Sequence, residues 1–261
     1  MSRTHVVTGS ASGIGKATRE LLLSRGDHVI GVDVHDADVV ADLGTAEGRA
    51  AMVTAVERLA GGHLDTVVAV AVAGLATPTP DTVSVNYVGM VGTLEGLRPL
   101  LVGSPAPRAV GVSSMASLMP LDDDLVGLLT AGDEPGARAR AEVLAQDEAT
   151  GGLIYASTKK AFAQWIRRSA ATPEWAGASI PLNAVAPGII VTPMVEPMLA
   201  TEEGRAMMAQ VVPMPLNGFA QPKVVADLLA FLVSEENSHP CGQVVFVDGG
   251  SDVVIRGDST W

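Results

Sequence analysis

Apolar runs of strand length alternate with amphipathic segments along almost the whole chain, and this alternation is the strongest constraint on its fold. Strand-like runs occupy residues 5–8, 28–33, 66–74, 108–114, 180–188 and 242–250. The spacing of apolar residues predicts helices at 13–25, 45–59, 82–101, 153–171 and 222–234. Such alternation implies right-handed crossovers between parallel strands, with helices on both faces of the sheet. We therefore predict an α/β fold with a doubly wound parallel sheet, and no repeat or composition break divides residues 1–261 into more than one domain.

The composition argues against several classes of function. Hydrophobic residues make up 48% and charged residues 18% of the 261 residues, as is typical of a folded globular chain. A net charge of −12 without a basic run argues against nucleic acid or an anionic membrane as partner. The single cysteine, Cys241, has no partner for an internal disulfide, and no cysteine–histidine cluster indicates a metal site. We expect no metal and, since no targeting or membrane-spanning segment is visible, a cytoplasmic location.

A glycine-rich segment, VVTGSASGIGKAT, joins the first predicted strand to the first predicted helix. Gly9 permits a tight turn, Gly13 lets the backbone approach a phosphate, and Gly15 lets the helix pack closely on the strand. The helix N-terminus then presents free N–H groups and the positive end of its dipole to a pyrophosphate. A glycine-rich turn can be purely structural, but the position of this one between strand and helix favours dinucleotide binding.

Asp33 ends the second predicted strand, where a carboxylate can accept hydrogen bonds from both hydroxyls of an adenosine ribose. The same carboxylate repels a 2′-phosphate, and no lysine or arginine follows it in DVHDAD. We therefore expect NAD(H) rather than NADP(H) as the cofactor, with Asp42 and Leu43 flanking the adenine. The alternative is a solvated strand end, which is the interpretation we favour for Asp36 and Asp38.

Tyr155 and Lys159 are four residues apart on a predicted helix, so their side chains share one face. A nearby ammonium favours the phenolate form and would lower the tyrosine pKa toward working pH. Ser113 and Ser114 end the fourth predicted strand, on the side of the sheet where ligands bind in doubly wound folds. Each feature also has a plain structural explanation, a surface pair for the first and a capping serine for the second. The glycine-rich segment, which indicates a dinucleotide cofactor, favours the catalytic interpretation of both features.

Together these motifs resemble the short-chain dehydrogenase/reductase family. They are TGSASGIG at 8–15, Asn86 within VNYVG, Ser114, Tyr155 with Lys159, and NAVAPGIIVT, and they follow the family order over nearly the whole chain. Within that family, the segment VDVHDADVVADLGTAEGR and the long stretch before Tyr155 resemble the bacterial 3α-hydroxysteroid dehydrogenase/carbonyl reductase group. The resemblance implies a Rossmann-type fold and oxidoreductase activity.

The resemblance also implies a role for each matching residue. Ser114 would polarise a carbonyl and Tyr155 would be the acid/base. Lys159 would lower the tyrosine pKa and hold the nicotinamide ribose, and Asn86 would hold a water that links Lys159 to solvent. Tyr155 and Lys159 would thus also contact the cofactor. Further cofactor contacts would come from the glycine-rich turn and two later loops: Ser12, Ile14, Gly74, Pro187, Gly188, Ile190 and Thr192.

The chain departs from the family pattern at two places. Ala71-Val72-Ala73-Gly74 stands where the family has Asn-Asn-Ala-Gly, so the asparagine hydrogen bonds are lost. A long insertion spans residues 115 to 152 approximately. We predict that it forms one or two helices near the substrate site. Its apolar residues call for burial: Leu125, Val126, Leu128, Leu129, Val143 and Leu144. We predict that it covers part of the substrate site and blocks a four-helix contact used by many relatives. A homodimer would result rather than a tetramer; the alternative is an inert surface insertion.

The predicted function is NAD(H)-dependent interconversion of a secondary alcohol and a ketone on a bulky apolar substrate, with a 3α-hydroxysteroid as the leading candidate. An aryl ketone or amino alcohol is the nearest alternative substrate. Two other classes are a catalytically silent NAD-binding regulator and an epimerase or dehydratase of the extended branch. The methionines and prolines of PMVEPMLA and MMAQVVPMP could line an adaptable apolar wall or be ordinary helix core.

Overall fold

The computed structural model describes residues 2–74 and 79–259, and a seven-stranded sheet lies at its centre. The strands, in chain order, are β1 Thr4–Thr8, β2 His28–Asp33, β3 Val39–Val40, β4 Thr66–Ala69, β5 Arg108–Val112, β6 Leu182–Pro187 and β7 Val244–Val247. They pair in the order β3-β2-β1-β4-β5-β6-β7, and every pairing is parallel. The predicted doubly wound α/β fold is confirmed. The strand order reverses between β1 and β4, which is where such sheets open a crevice for ligands.

Helices cover both faces of the sheet. In chain order they are α1 Gly13–Ser24, α2 Ala46–Leu59, α3 Pro80–Val83, α4 Met90–Leu101, α5 Asp123–Thr130, α6 Glu134–Leu144, α7 Glu148–Ser169, α8 Glu202–Val211, α9 Pro222–Leu232 and α10 Ser251–Arg256. Side chains of α1 and α9 pack with one face of the sheet, and those of α2, α4 and α7 pack with the other. Among the described residues, no helix is long and apolar enough to span a membrane.

The two-residue period of a strand explains why the strand sequences are apolar without interruption. Val6 and Val7 are neighbours in β1 and both are fully buried, but they belong to the apolar clusters on opposite faces of the sheet. Because helices cover both faces, both side-chain positions must be apolar. A strand of this kind cannot show the alternation of polar and apolar residues seen in half-exposed sheets.

Several boundaries differ from those predicted. Strand β4 ends at Ala69 rather than at residue 74, because the chain leaves the sheet there to form a loop. The helix predicted at 82–101 begins at Pro80 and contains a π turn, Ser84–Gly89, between α3 and α4. Helix α7 begins five residues before the predicted start, since the Asp147 carboxylate accepts a hydrogen bond from the backbone of Ala149 and caps it.

The insertion forms a single turn of 3₁₀ helix, Met115–Leu118, followed by α5 and α6. Aspartates cap both helices, since Asp122 accepts from the Leu125 amide and Asp133 from the Gly136 amide. Apolar side chains of both helices join the main core beneath α7: Leu125, Val126, Leu129, Ala137, Ala141 and Leu144. Val143 is 55% exposed, which corrects the expectation that it is buried. It lies on the outer face of α6.

Candidate active site

A cleft of about 360 Å³ opens beyond the carboxyl ends of the strands, at the reversal between β1 and β4. The loops after β1 to β6 line it, together with α7 and α8. Most of the site residues predicted from the sequence lie on its wall: Gly9, Ser12, Gly13, Ile14, Gly15, Asp33, Asp42, Leu43, Ser114, Tyr155, Lys159, Pro187, Gly188, Ile190 and Thr192. Residues that are far apart in the chain therefore share one cavity.

The glycine-rich turn forms a close-fitting cradle at the start of α1. Gly9 and Gly13 have φ angles of 66° and 51°, in the left-handed region that favours glycine. A side chain at Gly15 would place its Cβ only 2.0 Å from the carbonyl oxygen of Gly9. Ser12, at the N-cap of α1, makes no side-chain cap bond, so the first amides of the helix are free to bind an anion. These features fit a pyrophosphate.

Asp33 lies at the other end of this wall with its carboxylate already oriented. One oxygen accepts a hydrogen bond from the backbone N–H of Ala11 at 2.9 Å, and the other from that of Val34 at 2.7 Å. A carboxylate has about four acceptor positions, so two remain for the hydroxyls of a ribose. The neighbouring wall is formed by exposed Asp42, whose carboxylate caps Gly44, and by buried Leu43.

Ser114, Tyr155 and Lys159 come together on the opposite wall. Ser114 caps the 3₁₀ turn after β5, where its Oγ accepts from the Ala116 amide, and it also hydrogen-bonds the Tyr155 side chain. The Lys159 Nζ donates to the carbonyl of Val112 at 3.1 Å and lies 5.6 Å from the centre of the tyrosine ring. The helix α7 therefore presents both of its reactive groups to the end of strand β5.

Ser113, the neighbour of Ser114, connects strand β5 to helix α7. Its buried hydroxyl donates to the backbone carbonyl of Lys159 at 3.0 Å. This bond ties helix α7 to the end of β5 at the residue that carries the ammonium group. Of the two serines that end the predicted strand, Ser114 therefore faces the cleft with its side chain and Ser113 holds the helix in place.

Burial controls the ionisation of both groups. It raises the pKa of Tyr155 to about 12, and the hydrogen bond from Ser114 offsets only part of that rise. Burial also lowers the pKa of Lys159 to about 7. Burial therefore sets the pKa of Tyr155, and the lowering by the Lys159 ammonium that we expected from the sequence is not found. Near neutral pH, Tyr155 holds its proton while Lys159 is close to its midpoint, which suits a proton donor beside a proton carrier.

Asn86 and Gly74 lie behind the cleft and not on its wall. The Asn86 side chain accepts from the backbone N–H of Ala73 at 2.8 Å and donates to the carbonyl of Ala73 at 2.9 Å. This pair of bonds, with two more that Thr8 Oγ1 accepts from Val70 and Ala71, holds the loop after β4. The loop Ala71-Val72-Ala73-Gly74 is therefore held by side chains from β1 and from the π turn. The two bonds use one N–H group and one acceptor position of the Asn86 amide, and the water expected at Asn86 stays a prediction.

Four apolar residues that line the cleft were not predicted from the sequence: Met115, Ile189, Val195 and Val212. Pro193, Met194 and Met208 also line it, and they belong to the segments PMVEPMLA and MMAQVVPMP, for which an apolar wall was one of two interpretations. The methionine-rich segments had two interpretations, and the structure supports both. Met208 lines the cleft, yet it also packs against a small apolar cluster that contains Val195 and Val212. The helical spacing of α8 was the available signal, since it places Met208 and Val212 on one face.

The insertion reaches the cleft only through its first turn. Met115 and Ala116 line the cavity, whereas none of residues 117–152, all of which the structure describes, is on its wall. Helices α5 and α6 pack instead against α3 and α7, outside the cleft. Within residues 2–74 and 79–259, no group of three or more histidine, cysteine, aspartate or glutamate side chains is placed to hold a metal ion.

Several known proteins are similar to this chain over nearly all of its 261 residues. A family model described as enoyl-(acyl carrier protein) reductase matches residues 139–252. The 3α-hydroxysteroid dehydrogenase/carbonyl reductase of Comamonas testosteroni is 37% identical and covers 96% of this chain and 97% of its own. The cis-4-hydroxycyclohexanecarboxylate dehydrogenase of Sinomonas cyclohexanicum is 32% identical, covering 97% of each chain. The crystal structure of 3α-hydroxysteroid dehydrogenase from Pseudomonas sp. B-0831 with NADH superposes with a TM-score of 0.87. It shares 38% identity and covers 98% of this chain and 99% of that one.

Proposed function

Because the chain belongs to the short-chain dehydrogenase/reductase family, we propose that it interconverts a secondary alcohol and a ketone with NAD(H). The observation that carries this proposal is the position of Ser114, Tyr155 and Lys159 on one wall of a cleft whose far end holds Asp33. A proton donor and a ribose-binding carboxylate within one cavity are what a hydride-transfer enzyme requires. The 3α-hydroxysteroid dehydrogenases among its relatives support this assignment.

The residues of the cleft fit a dinucleotide. The free amides at the start of α1 suit a pyrophosphate, and the two remaining acceptor positions of Asp33 suit the adenosine ribose. Pro187, Gly188 and Ile190 would then face the nicotinamide. When bound, the nicotinamide supplies the hydride, which leaves the protein to handle the proton. Asp33 favours NAD(H) because its charge would repel the 2′-phosphate of NADP(H).

In the reduction direction, Tyr155 donates the proton of its Oη to the carbonyl oxygen of the substrate. Its raised pKa ensures that the proton is present at neutral pH. Ser114 donates a hydrogen bond to the same oxygen and fixes its position between the two hydroxyls. Lys159, with a pKa of about 7, can lose or regain a proton at working pH and so assists in restoring the proton of Tyr155. Oxidation runs the same steps in reverse.

The substrate half of the cleft favours an apolar and uncharged molecule. Among the described cleft residues from Val112 onward, Lys159 is the only one with a charged side chain. Met115, Met194 and Met208 offer flexible apolar surface to the body of a substrate. We propose a 3α-hydroxysteroid as the leading candidate. A neutral aryl ketone is the alternative that fits next best, whereas an amino alcohol would bring a cation without a carboxylate to meet it.

A substrate panel with a matched pair of variants tests this proposal. NADH formation from NAD⁺ is measured with steroid alcohols, aryl alcohols and amino alcohols. Met208→Ala should raise KM for the best steroid about 3- to 10-fold, because truncating an apolar contact in a pocket is worth about 1 kcal/mol or more. Met207, the next residue, is 66% exposed, so Met207→Ala should leave KM unchanged. No turnover of any secondary alcohol by the wild-type protein would contradict the proposal.

A catalytically silent NAD-binding regulator is the second candidate. Such a protein has no need for a serine, a tyrosine and a lysine that meet in the cofactor cleft, so their convergence favours the enzyme. An epimerase or dehydratase would need a substrate domain of its own, and the residues in the cleft come from one α/β unit. The oxidoreductase therefore accounts for more of the site.

We also propose a cytoplasmic homodimer. Helix α5 packs on α7. By the resemblance to the family, α7 and the helix that contains Asn86 would form the four-helix contact between subunits, and α5 would obstruct it. Assembly through that contact would require α5 to move, which would uncover Leu125 and Leu129. The mass in solution, measured by light scattering, should correspond to two chains. A tetramer would show that the insertion does not restrict assembly.

A further inference from the structure

A polar network joins the insertion to the part of the cleft that contains Asp33. At its centre is Glu134, the first residue of α6. One carboxylate oxygen of Glu134 accepts from Arg49 of α2 at 3.1 Å, and the other accepts from the hydroxyl of Ser84 at 2.8 Å. The three side chains are largely buried, with exposures of 15% for Arg49 and 27% for Glu134 and with Ser84 fully inside. Glu134 thus holds two separate elements at once.

The first branch of the network leads to the loop after β3. The second terminal nitrogen of Arg49 donates to the backbone carbonyl of Leu43 at 3.1 Å. Leu43 and Asp42 line the cleft on the same wall as Asp33. By fixing the guanidinium, Glu134 therefore fixes the donor that holds the carbonyl of Leu43. Loss of the Glu134 charge would leave Arg49 free to turn away from this loop.

The second branch leads to the loop after β4. Ser84 is the first residue of the π turn, and this turn carries Val85, which lines the cleft, and Asn86, which holds Ala73. Arg138, also of α6, donates to the hydroxyl of Ser84 at 2.7 Å. Two side chains of the insertion therefore hydrogen-bond the π turn. Through Asn86 the π turn in turn holds the loop of Ala71 to Ala73, which lines the same region of the cleft.

We propose that Glu134 is a positioning residue for the adenosine half of the dinucleotide, and that the insertion acts on cofactor affinity through it. This inference rests on the proposed NAD(H) function. The two loops that Glu134 holds line the same cleft as Asp33. Loops that are fixed before a ligand arrives do not lose further conformational entropy when it binds, so the ligand binds more tightly. This proposed role of the insertion, in cofactor binding, differs from the role predicted from the sequence, which was to cover part of the substrate site.

The insertion offers a matched control. Asp122, which caps α5, is also a largely buried carboxylate paired with an arginine of the protein, and both of its oxygens accept from Arg140. The backbone N–H of Asp122 donates to Ser157 of α7, and within the described residues no hydrogen bond of the Asp122 carboxylate leads to the loops after β3 and β4. Asp122→Asn and Glu134→Gln each convert a paired carboxylate of the insertion into an amide. Only the second change touches the network.

The experiment measures the Kd of NADH and of ADP-ribose by calorimetry for the wild-type protein and both variants. ADP-ribose lacks only the nicotinamide base and keeps the adenosine, the pyrophosphate and the second ribose, so it reports on cofactor binding without the contacts of the nicotinamide. Glu134→Gln should raise both Kd values by a similar factor, about 3- to 10-fold. Its kcat and the KM of the ketone at saturating NADH should stay at the wild-type values. Asp122→Asn should leave both Kd values unchanged. Ser84→Ala, which cuts only the second branch, should weaken ADP-ribose by a smaller factor.

Three results would count against the inference, and they are distinguishable. An unchanged Kd for ADP-ribose in folded Glu134→Gln overturns it, and so does an equal loss in Glu134→Gln and Asp122→Asn, which would indicate general loosening. If Glu134→Gln fails to fold, an unchanged Kd for ADP-ribose in Ser84→Ala overturns it instead. Failure of the wild-type protein to bind either NADH or ADP-ribose would contradict the proposed function itself.

Discussion

At the scale of single residues, the site depends on two groups whose ionisation is set by burial. Lys159 is 1% exposed, and its ammonium is bonded to the carbonyl of Val112. In the described part of the chain, no carboxylate forms an ion pair with it. A buried cation without a counter-charge loses its proton more easily, which is why its pKa is about 7. The protein gives up stability at this position and gains a group that titrates at working pH.

The stability of the protein without cofactor should depend on pH through Lys159. Between pH 7 and about 10.4 the unfolded chain keeps the lysine proton while the folded protein has lost it. Because the unfolded state then binds more protons, the free energy of unfolding rises with pH, by up to about 1.4 kcal/mol per unit. The free energy of unfolding of the wild type and of Lys159→Met is measured with urea at several pH values. The variant should lack the rise with pH that is due to Lys159.

Lys160 provides the control for that measurement, since it is the next residue of α7 and is partly exposed. Lys160→Met should have the same pH dependence as the wild type. If Lys159→Met also kept the wild-type dependence between pH 7 and 10, the lysine would not be titrating in that range. Burial would then not be the dominant influence on it.

The cofactor preference should depend on Asp33. With its carboxylate oriented by Ala11 and Val34, the wild-type protein should favour NADH over NADPH by 10-fold or more in kcat/KM, about 1.4 kcal/mol. Asp33→Ala should narrow this preference, mainly by weakening NADH, because the ribose hydroxyls lose their acceptors. The ratio of kcat/KM values for the two cofactors is the measurement.

Asp36 lies three residues further on, and its carboxylate is 90% exposed. Its φ angle of 48° suits glycine, so Asp36→Gly removes a nearby charge without backbone strain and should leave the preference unchanged. Equal kcat/KM for NADH and NADPH in the wild type would rule out the role assigned to Asp33.

At the scale of elements, the insertion belongs to the core of the protein. Helix α7 carries Tyr155 and Lys159 on one side and receives α5 and α6 on another. Leu129 of α5 is 1% exposed and lies in the same apolar cluster as Phe162 and Trp165 of α7. The insertion therefore supports the catalytic helix from behind, and an inert surface segment would not bury such residues.

A pair of truncations distinguishes the buried and exposed faces of the insertion. Leu129→Ala should lower the free energy of unfolding by about 2–5 kcal/mol, because it removes a buried side chain and leaves a cavity. Val143→Ala, at a position 55% exposed, should change it by no more than about 0.5 kcal/mol. Chemical denaturation gives both values. Equal small effects at the two positions would mean that α5 does not pack on the core in solution.

At the scale of the whole molecule, the fold could be predicted from the sequence because a parallel sheet covered on both faces requires uninterrupted apolar strands. The glycine-rich turn could be predicted from the sequence for a related reason. Gly9 and Gly13 adopt φ values that other residues rarely adopt, so the presence of glycine at these positions predicts the turn. Tyr155 and Lys159 share a helix face, which spacing alone determines.

Other features depend on contacts that no local pattern records. Strand β3 has only two residues and exists through its pairing with β2. The bonds from Asn86 to Ala73 link positions 13 apart, and they arise from a π turn inside a helix that was predicted to be regular. The pKa of Tyr155 depends on how deeply the packed helices bury it. Burial and long-range pairing appear only once the chain has folded.

The central claim is that Tyr155 is the acid/base of a dinucleotide-dependent oxidoreductase, and removal of its hydroxyl tests it most directly. Tyr87, the other tyrosine of the chain, is equally buried but lies outside the cleft wall, so Tyr87→Phe is the matched control. Tyr155→Phe should lower kcat by at least about 100-fold and leave the Kd of NADH within about 2-fold of the wild type. Tyr87→Phe should keep both values. A Tyr155→Phe enzyme that retained more than about a tenth of the wild-type kcat would contradict the account.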